Sequence, residues 1–154
     1  MPFGFGLSYT TFSYAPAVPA AVPAAAVTVS GCGVISVRVR VTNTGAVDGD
    51  EVVQCYVTQR NASAPVPRVR LASFRRVAIA AGATVELTLT VAPELRSTVL
   101  SNDAAHFYDP AGNVVLEPGE LDVFVGGGQP AHFAGGVRTT VSVTGAPLPL
   151  ASCA

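Results

Sequence analysis

Ten acidic side chains, two histidines and three cysteines are the groups with which this 154-residue chain could do chemistry. Asp48, Asp50 and Glu51 stand close enough in sequence to suggest a cation site, and Glu117 with Glu120 could serve as an acid and base pair. A calcium loop spreads its oxygen ligands over about twelve residues, and paired catalytic carboxylates need a cleft that raises the pKa of one of them. Neither setting is visible, and both groups flank Gly or Pro, so they are expected to be turn residues. His106 and His132 accompany no Gly-x-Ser-x-Gly nucleophile elbow, and each is expected to pack or to face solvent. Gly126-Gly127-Gly128 could cradle a phosphate only if a helix followed. Gln129-Pro130 opens none, so a flexible strand exit is expected. No catalytic, cofactor-binding or metal-ligating residue emerges, and no cofactor is expected.

Cys32, Cys55 and Cys153 are odd in number and lack Cys-x-x-Cys spacing, which leaves open one disulfide with a free thiol or three thiols. Asn61-Ala62-Ser63 satisfies the N-glycosylation sequon in a stretch that also holds Pro65 and Pro67, a loop composition, so Asn61 is a candidate acceptor if the protein is secreted from a eukaryotic cell. Nine arginines against ten acids give a net charge of -1 with no run of one sign. A surface tracking nucleic-acid phosphates is thereby excluded, since it needs clustered cations. The opening Met1-Pro2-Phe3-Gly4-Phe5-Gly6 shows neither the basic nor the apolar region of a secretory signal. The Ala-rich stretch from Ala15 to Val29 is interrupted by Pro16, Pro19 and Pro23, so no membrane partner is expected.

Strands must position these groups. Ile35, Val37, Val39 and Val41 alternate with Ser36, Arg38, Arg40 and Thr42; Val53, Cys55 and Val57 alternate with Gln54, Tyr56 and Thr58; Val85, Leu87, Leu89 and Val91 alternate with Thr84, Glu86, Thr88 and Thr90. Period two of this kind marks half-buried strands. Further strands are expected over Leu71–Ile79, His106–Tyr108, Val114–Leu116, Leu121–Val125 and Val137–Val143, with one helical turn begun by Pro93. About seven short strands divided by Gly, Pro and Asn turns specify an all-β, two-sheet antiparallel sandwich of the immunoglobulin type. Residues 1–14 crowd Phe3, Phe5, Tyr9, Phe12 and Tyr14 into a segment too short to bury them, and are expected to dock on a neighbouring surface. Residues 15–33 read as an Ala/Pro-rich linker or loop, 34–144 as the sandwich and 145–154 as a tail.

Pro2-Phe3-Gly4-Phe5-Gly6-Leu7-Ser8-Tyr9-Thr10-Thr11-Phe12 resembles the junction that precedes the fibronectin type III-like C-terminal domain of glycoside hydrolase family 3 enzymes. Val41-Thr42-Asn43-Thr44-Gly45, Asp48-Gly49-Asp50-Glu51-Val52-Val53-Gln54-Cys55-Tyr56-Val57, Leu71-Ala72-Ser73-Phe74-Arg75-Arg76-Val77 and Glu117-Pro118-Gly119-Glu120 with Val125-Gly126-Gly127 follow in the family's order. The ending Gly-Gly-Gly-Gln-Pro and the insert from Leu95 to Ala105 look more like the β-xylosidase branch than the bacterial β-glucosidase branch.

The resemblance implies a fibronectin type III-like sandwich without the catalytic Asp and acid/base residue, which in the family lie upstream of the Pro2 motif. Its partners would be the catalytic domains of a β-xylosidase-like or β-glucosidase-like enzyme in the same chain, which it would stabilise through Phe3, Phe5, Tyr9, Phe12 and Tyr14. The parent enzyme would work outside the cell or in the cell wall. The alternative is a free-standing sandwich that binds a polysaccharide, an oligosaccharide or a protein.

Overall fold

The computed structural model describes residues 6–17, 27–99 and 114–153. Among these the strands run in the order β1 (Phe12–Pro16), β2 (Val27–Ser30), β3 (Ile35–Asn43), β4 (Gly49–Gln59), β5 (Arg70–Ile79), β6 (Thr84–Val91), β7 (Thr98–Val99), β8 (Val114–Leu116), β9 (Gly119–Gly126), β10 (Val137–Thr144) and β11 (Leu148–Pro149). Two sheets face each other, one ordered β1-β3-β6 and the other β2-β10-β9-β4-β5. A small third sheet, β11-β8-β7, lies beside them.

The alternation in sequence becomes a core. Ile35, Val39 and Val41 of β3 and Leu87, Leu89 and Val91 of β6 meet Val53, Cys55 and Val57 of β4, Leu121, Val123 and Val125 of β9 and Val141 and Val143 of β10 in one buried cluster. The outward residues of β6 are exposed at every second position, as a sheet with one wet face requires. β4 departs from this pattern. Gln54 and Tyr56 lie on its outer face, yet each is only 3% exposed. Their polar ends are satisfied locally, since the Tyr56 hydroxyl donates to Gln54 Oε1 at 2.5 Å and Gln54 Nε2 donates to the Gly127 carbonyl at 3.3 Å.

Three expectations are corrected. Residues 12–16 do not lie outside the sandwich, because β1 pairs antiparallel with β3 from Phe12 opposite Asn43 to Pro16 opposite Val39. Phe12 and Tyr14 sit on the inner side of that strand and pack against the core. Pro16 is tolerated at the strand's end, where its missing N–H breaks no central ladder bond. The second correction concerns the expected linker, whose residues 27–30 form β2 and pair parallel with β10, Val27 opposite Val141, so the sandwich is not wholly antiparallel. The third concerns the expected tail. Leu148 and Pro149 pair with Leu116 and Val115, and a 3-10 turn at Leu150–Cys153 carries Cys153 into a disulfide with Cys32. Residues 18–26 of the expected linker, the expected strand at His106–Tyr108 and most of the insert before it lie outside the described residues.

Candidate functional site

The N-terminal segment is anchored at one buried amide. Asn43, fully buried at the end of β3, accepts from Thr10 Oγ1 at 2.5 Å and from the Gly45 amide at 3.1 Å, and donates to the carbonyls of Ile79 at 2.9 Å and Val47 at 2.8 Å. All four hydrogen-bonding sites of the side-chain amide are used, the condition under which burying an Asn is tolerable. Thr10 is thereby fixed against the β3–β4 turn, and the two apolar residues just before it, Leu7 and Tyr9, are fully exposed. The expected docking strip therefore divides. Tyr9 points to solvent, Phe12 and Tyr14 point to the chain's own core, and Phe3 and Phe5 lie outside the described residues.

Tyr14 ties this segment to the far end of the second sheet. Its hydroxyl donates to Glu51 Oε1, and its ring meets Phe133 edge-on at 5.4 Å. Burial first, and the Glu51 carboxylate second, hold the phenol well above its ordinary pKa. A Cβ at Gly127 would stand 2.3 Å from Glu51 Oε1 and 3.1 Å from the Tyr14 oxygen. The glycine run expected as a flexible strand exit is thus closely packed.

The acidic candidates do not converge. Asp48 accepts from the Ala81 amide at 2.8 Å, Asp50 pairs with Arg76 at 2.5 Å, and Glu51 takes the Tyr14 hydroxyl. Glu117 accepts from the Ser63 hydroxyl and, at 3.2 Å, from the Ser63 amide, whereas Glu120 turns to Arg60 at 3.1 Å. No group of three or more potential metal ligands gathers among the described residues. Asn61 is exposed and adopts φ of 53°, a left-handed turn conformation that Asn tolerates better than most residues. His132 is exposed, and His106 lies outside the described residues.

Two features had no signal in the sequence. Arg96, in the 3-10 turn Pro93–Arg96, is 3% exposed and donates to the carbonyls of Gly31 and Gly33, so it clasps the loop that carries the disulfide. Burial holds its pKa below the ordinary guanidinium value. The other is a groove of about 680 Å³ across the outer face of the second sheet, lined by residues of β4, β9 and β10 together with Arg60 and Pro130. Arg60 donates from Nε to Asp122 at 2.8 Å and from Nη1 to Glu120 at 3.1 Å, and Thr140 Oγ1 donates to Asp122 at 3.1 Å. The Arg138 guanidinium lies 4.6 Å from the centroid of the buried Phe124 ring and donates to the Pro130 carbonyl at 2.8 Å.

Comparison with known proteins places these features in context. Residues 51–129 match the model of the fibronectin type III-like domain. Over 142 residues the chain is 34% identical to a β-glucosidase of Bacteroides ovatus, a match covering 92% of this chain and 16% of that enzyme. It is 35% identical over 141 residues to a β-xylosidase of Formosa agariphila, covering 91% and 17% respectively. Among solved structures, the β-glucosidase of Listeria innocua in complex with glucose superposes with a TM-score of 0.74 at 28% identity, over 96% of this chain and 18% of that one. The chain spans about one-sixth of the length of the curated relatives it matches.

Proposed function

The chain belongs to the family of fibronectin type III-like domains, and from that premise we propose that it is a non-catalytic accessory domain of a family 3 β-glycosidase, packing on the catalytic domains and stabilising them. The observation that carries the reading is the pattern of coverage. A β-glucosidase and a β-xylosidase each match more than nine-tenths of this chain with less than one-fifth of their own length. A sandwich that recurs as a small part of much longer enzymes behaves as a module with a neighbour in the same chain. β-Glucosidase and β-xylosidase relatives match at nearly equal identity, so the parent reaction is removal of a terminal β-linked glucose or xylose.

Among the described residues Glu51, Glu117 and Glu120 are each engaged with a different side chain, and the non-catalytic role is read from the coverage alone. The docking surface is the exposed Leu7–Tyr9 end of the N-terminal segment. A fully exposed Tyr on a segment held rigidly from behind by Asn43 is a low-entropy anchor for an interface. The Cys32–Cys153 disulfide supports an oxidising compartment, outside the cell or in its wall.

A transcript read across the codons before Met1 tests the reading. An in-frame coding sequence for the catalytic domains upstream is the expected result, and an untranslated leader there refutes it. In the intact enzyme, Tyr9→Ala should lower Tm while leaving the unfolding of the isolated 154-residue chain unchanged. An equal loss in both would show that Tyr9 serves the sandwich and not the docking.

A further inference from the structure

We propose that the outer face of the five-stranded sheet carries a binding groove for a neutral oligosaccharide, built from Arg60, Glu120, Asp122, Arg138 and Thr140. This surface is separate from the N-terminal docking segment, and the inference does not rest on the accessory role.

Strand register lays the groove out in rungs. Asp122 stands opposite Thr58 on one side and Thr140 on the other, Phe124 opposite Tyr56 and Arg138, and Glu120 opposite Ser142. Successive rungs on one face of a sheet are about 6.6 Å apart, and the volume of about 680 Å³ falls within the range of small-molecule sites. A short extended ligand can therefore lie across several rungs at once.

The chemistry of the lining selects the ligand. Two guanidinium groups, Arg60 and Arg138, balance two carboxylates, Glu120 and Asp122. With no net charge the groove offers no field to draw in a phosphate or a metal ion. The Phe124 and Tyr56 rings are each 3% exposed, so neither offers an open face for stacking, and the polar contacts fall to hydroxyl, carboxylate and guanidinium groups. Carboxylates accept from neighbouring hydroxyls and guanidinium groups donate in pairs, which suits the vicinal hydroxyls of a sugar.

The lining is also held in place before any ligand arrives. Asp122 is fixed by Arg60 at 2.8 Å and by Thr140 at 3.1 Å, and Arg138 lies over the Phe124 ring and is tied to Pro130. Side chains fixed in advance lose less conformational entropy on binding. Glu120 Oε1 and Arg138 Nη1 have no hydrogen-bond partner among the described residues and are the groups left to contact the sugar.

The test is isothermal titration calorimetry of the intact 154-residue chain with cellohexaose and xylohexaose, with polygalacturonate as an anionic comparison. Saturable binding of at least one neutral hexaose is expected, weakened roughly tenfold or more by Arg138→Ala. Thr140→Val, which removes one hydroxyl from an exposed-face position, should also weaken it measurably while circular dichroism stays native, and this keeps the test valid if Arg138→Ala fails to fold. No saturable binding of either hexaose overturns the proposal. So does binding unchanged by both substitutions, and so does tighter binding of polygalacturonate. None of these outcomes touches the docking role, which is read from Tyr9 in the intact enzyme.

Discussion

Replacing Asn43 with Ala removes four hydrogen bonds from one fully buried side chain. Two of the partners, the Thr10 hydroxyl and the Ile79 carbonyl, lie in buried positions and are left without Asn43. The other two, the Gly45 amide and the Val47 carbonyl, lie in the part-buried β3–β4 turn, where water can replace the amide. A stranded buried polar group costs about 1–3 kcal/mol, so two of them cost about 4 kcal/mol, a large share of the roughly 5–15 kcal/mol that stabilises a domain. For a chain of this length 1 kcal/mol corresponds to about 2–4 °C in Tm, and the expected fall is about 8–16 °C. Urea unfolding followed by far-ultraviolet circular dichroism measures it as a lower midpoint at unchanged m. Thr10→Val removes only one of the four bonds and should cost about 1 kcal/mol. An Asn43→Ala loss no larger than that of Thr10→Val would refute the argument that this amide is the joint between the N-terminal segment, the turn and the end of β5.

The Cys32–Cys153 disulfide closes a loop with a sequence separation of 121 residues, for which chain entropy alone gives about 5 kcal/mol; reduction should lower the urea midpoint strongly, and an unchanged midpoint would show that β11 and the 3-10 turn hold without it. Burial pushes the Cys55 thiol up to about 12 from 9.0, so the stability it lends is full below about pH 9 and is lost as pH rises toward 12. A thiol reagent at pH 8 should accordingly label no cysteine of the native, oxidised chain and one after unfolding, and labelling of the native chain would contradict the buried position. A Cβ at Gly136 would fall 2.3 Å from the Phe124 ring and 2.7 Å from the Val125 carbonyl; Gly136→Ala should cost about 1–3 kcal/mol by overpacking, read from the same urea transition, and a neutral result would mean that the loop after β9 gives way freely.

Much of the fold is legible in the residues because local alternation and the core select the same faces. Val85, Leu87, Leu89 and Val91 announce β6 and its inward side, and they are the residues that pack. Val53, Cys55 and Val57 do the same for β4, and the turn chemistry around Asn43 and Glu117 falls at strand ends as expected. β1 was harder to see. Phe12 and Tyr14 alternate over only five residues and lie beside the exposed Tyr9, so their aromatic character alone does not say whether they face a partner or their own core.

What the sequence determined by itself is the all-β sandwich and its family, because period two, turn residues and motif order are properties of neighbours along the chain. Only the tertiary structure decided that Cys32 pairs with Cys153, that Arg96 clasps the loop between β2 and β3, and that Arg60, Asp122, Arg138 and Thr140 line one groove. Those residues are far apart in sequence, and β2 reaches β10 across more than 100 positions. Long-range pairing of this kind is set by which strands share a sheet edge and by the shared burial of the core, and a local pattern carries no record of either.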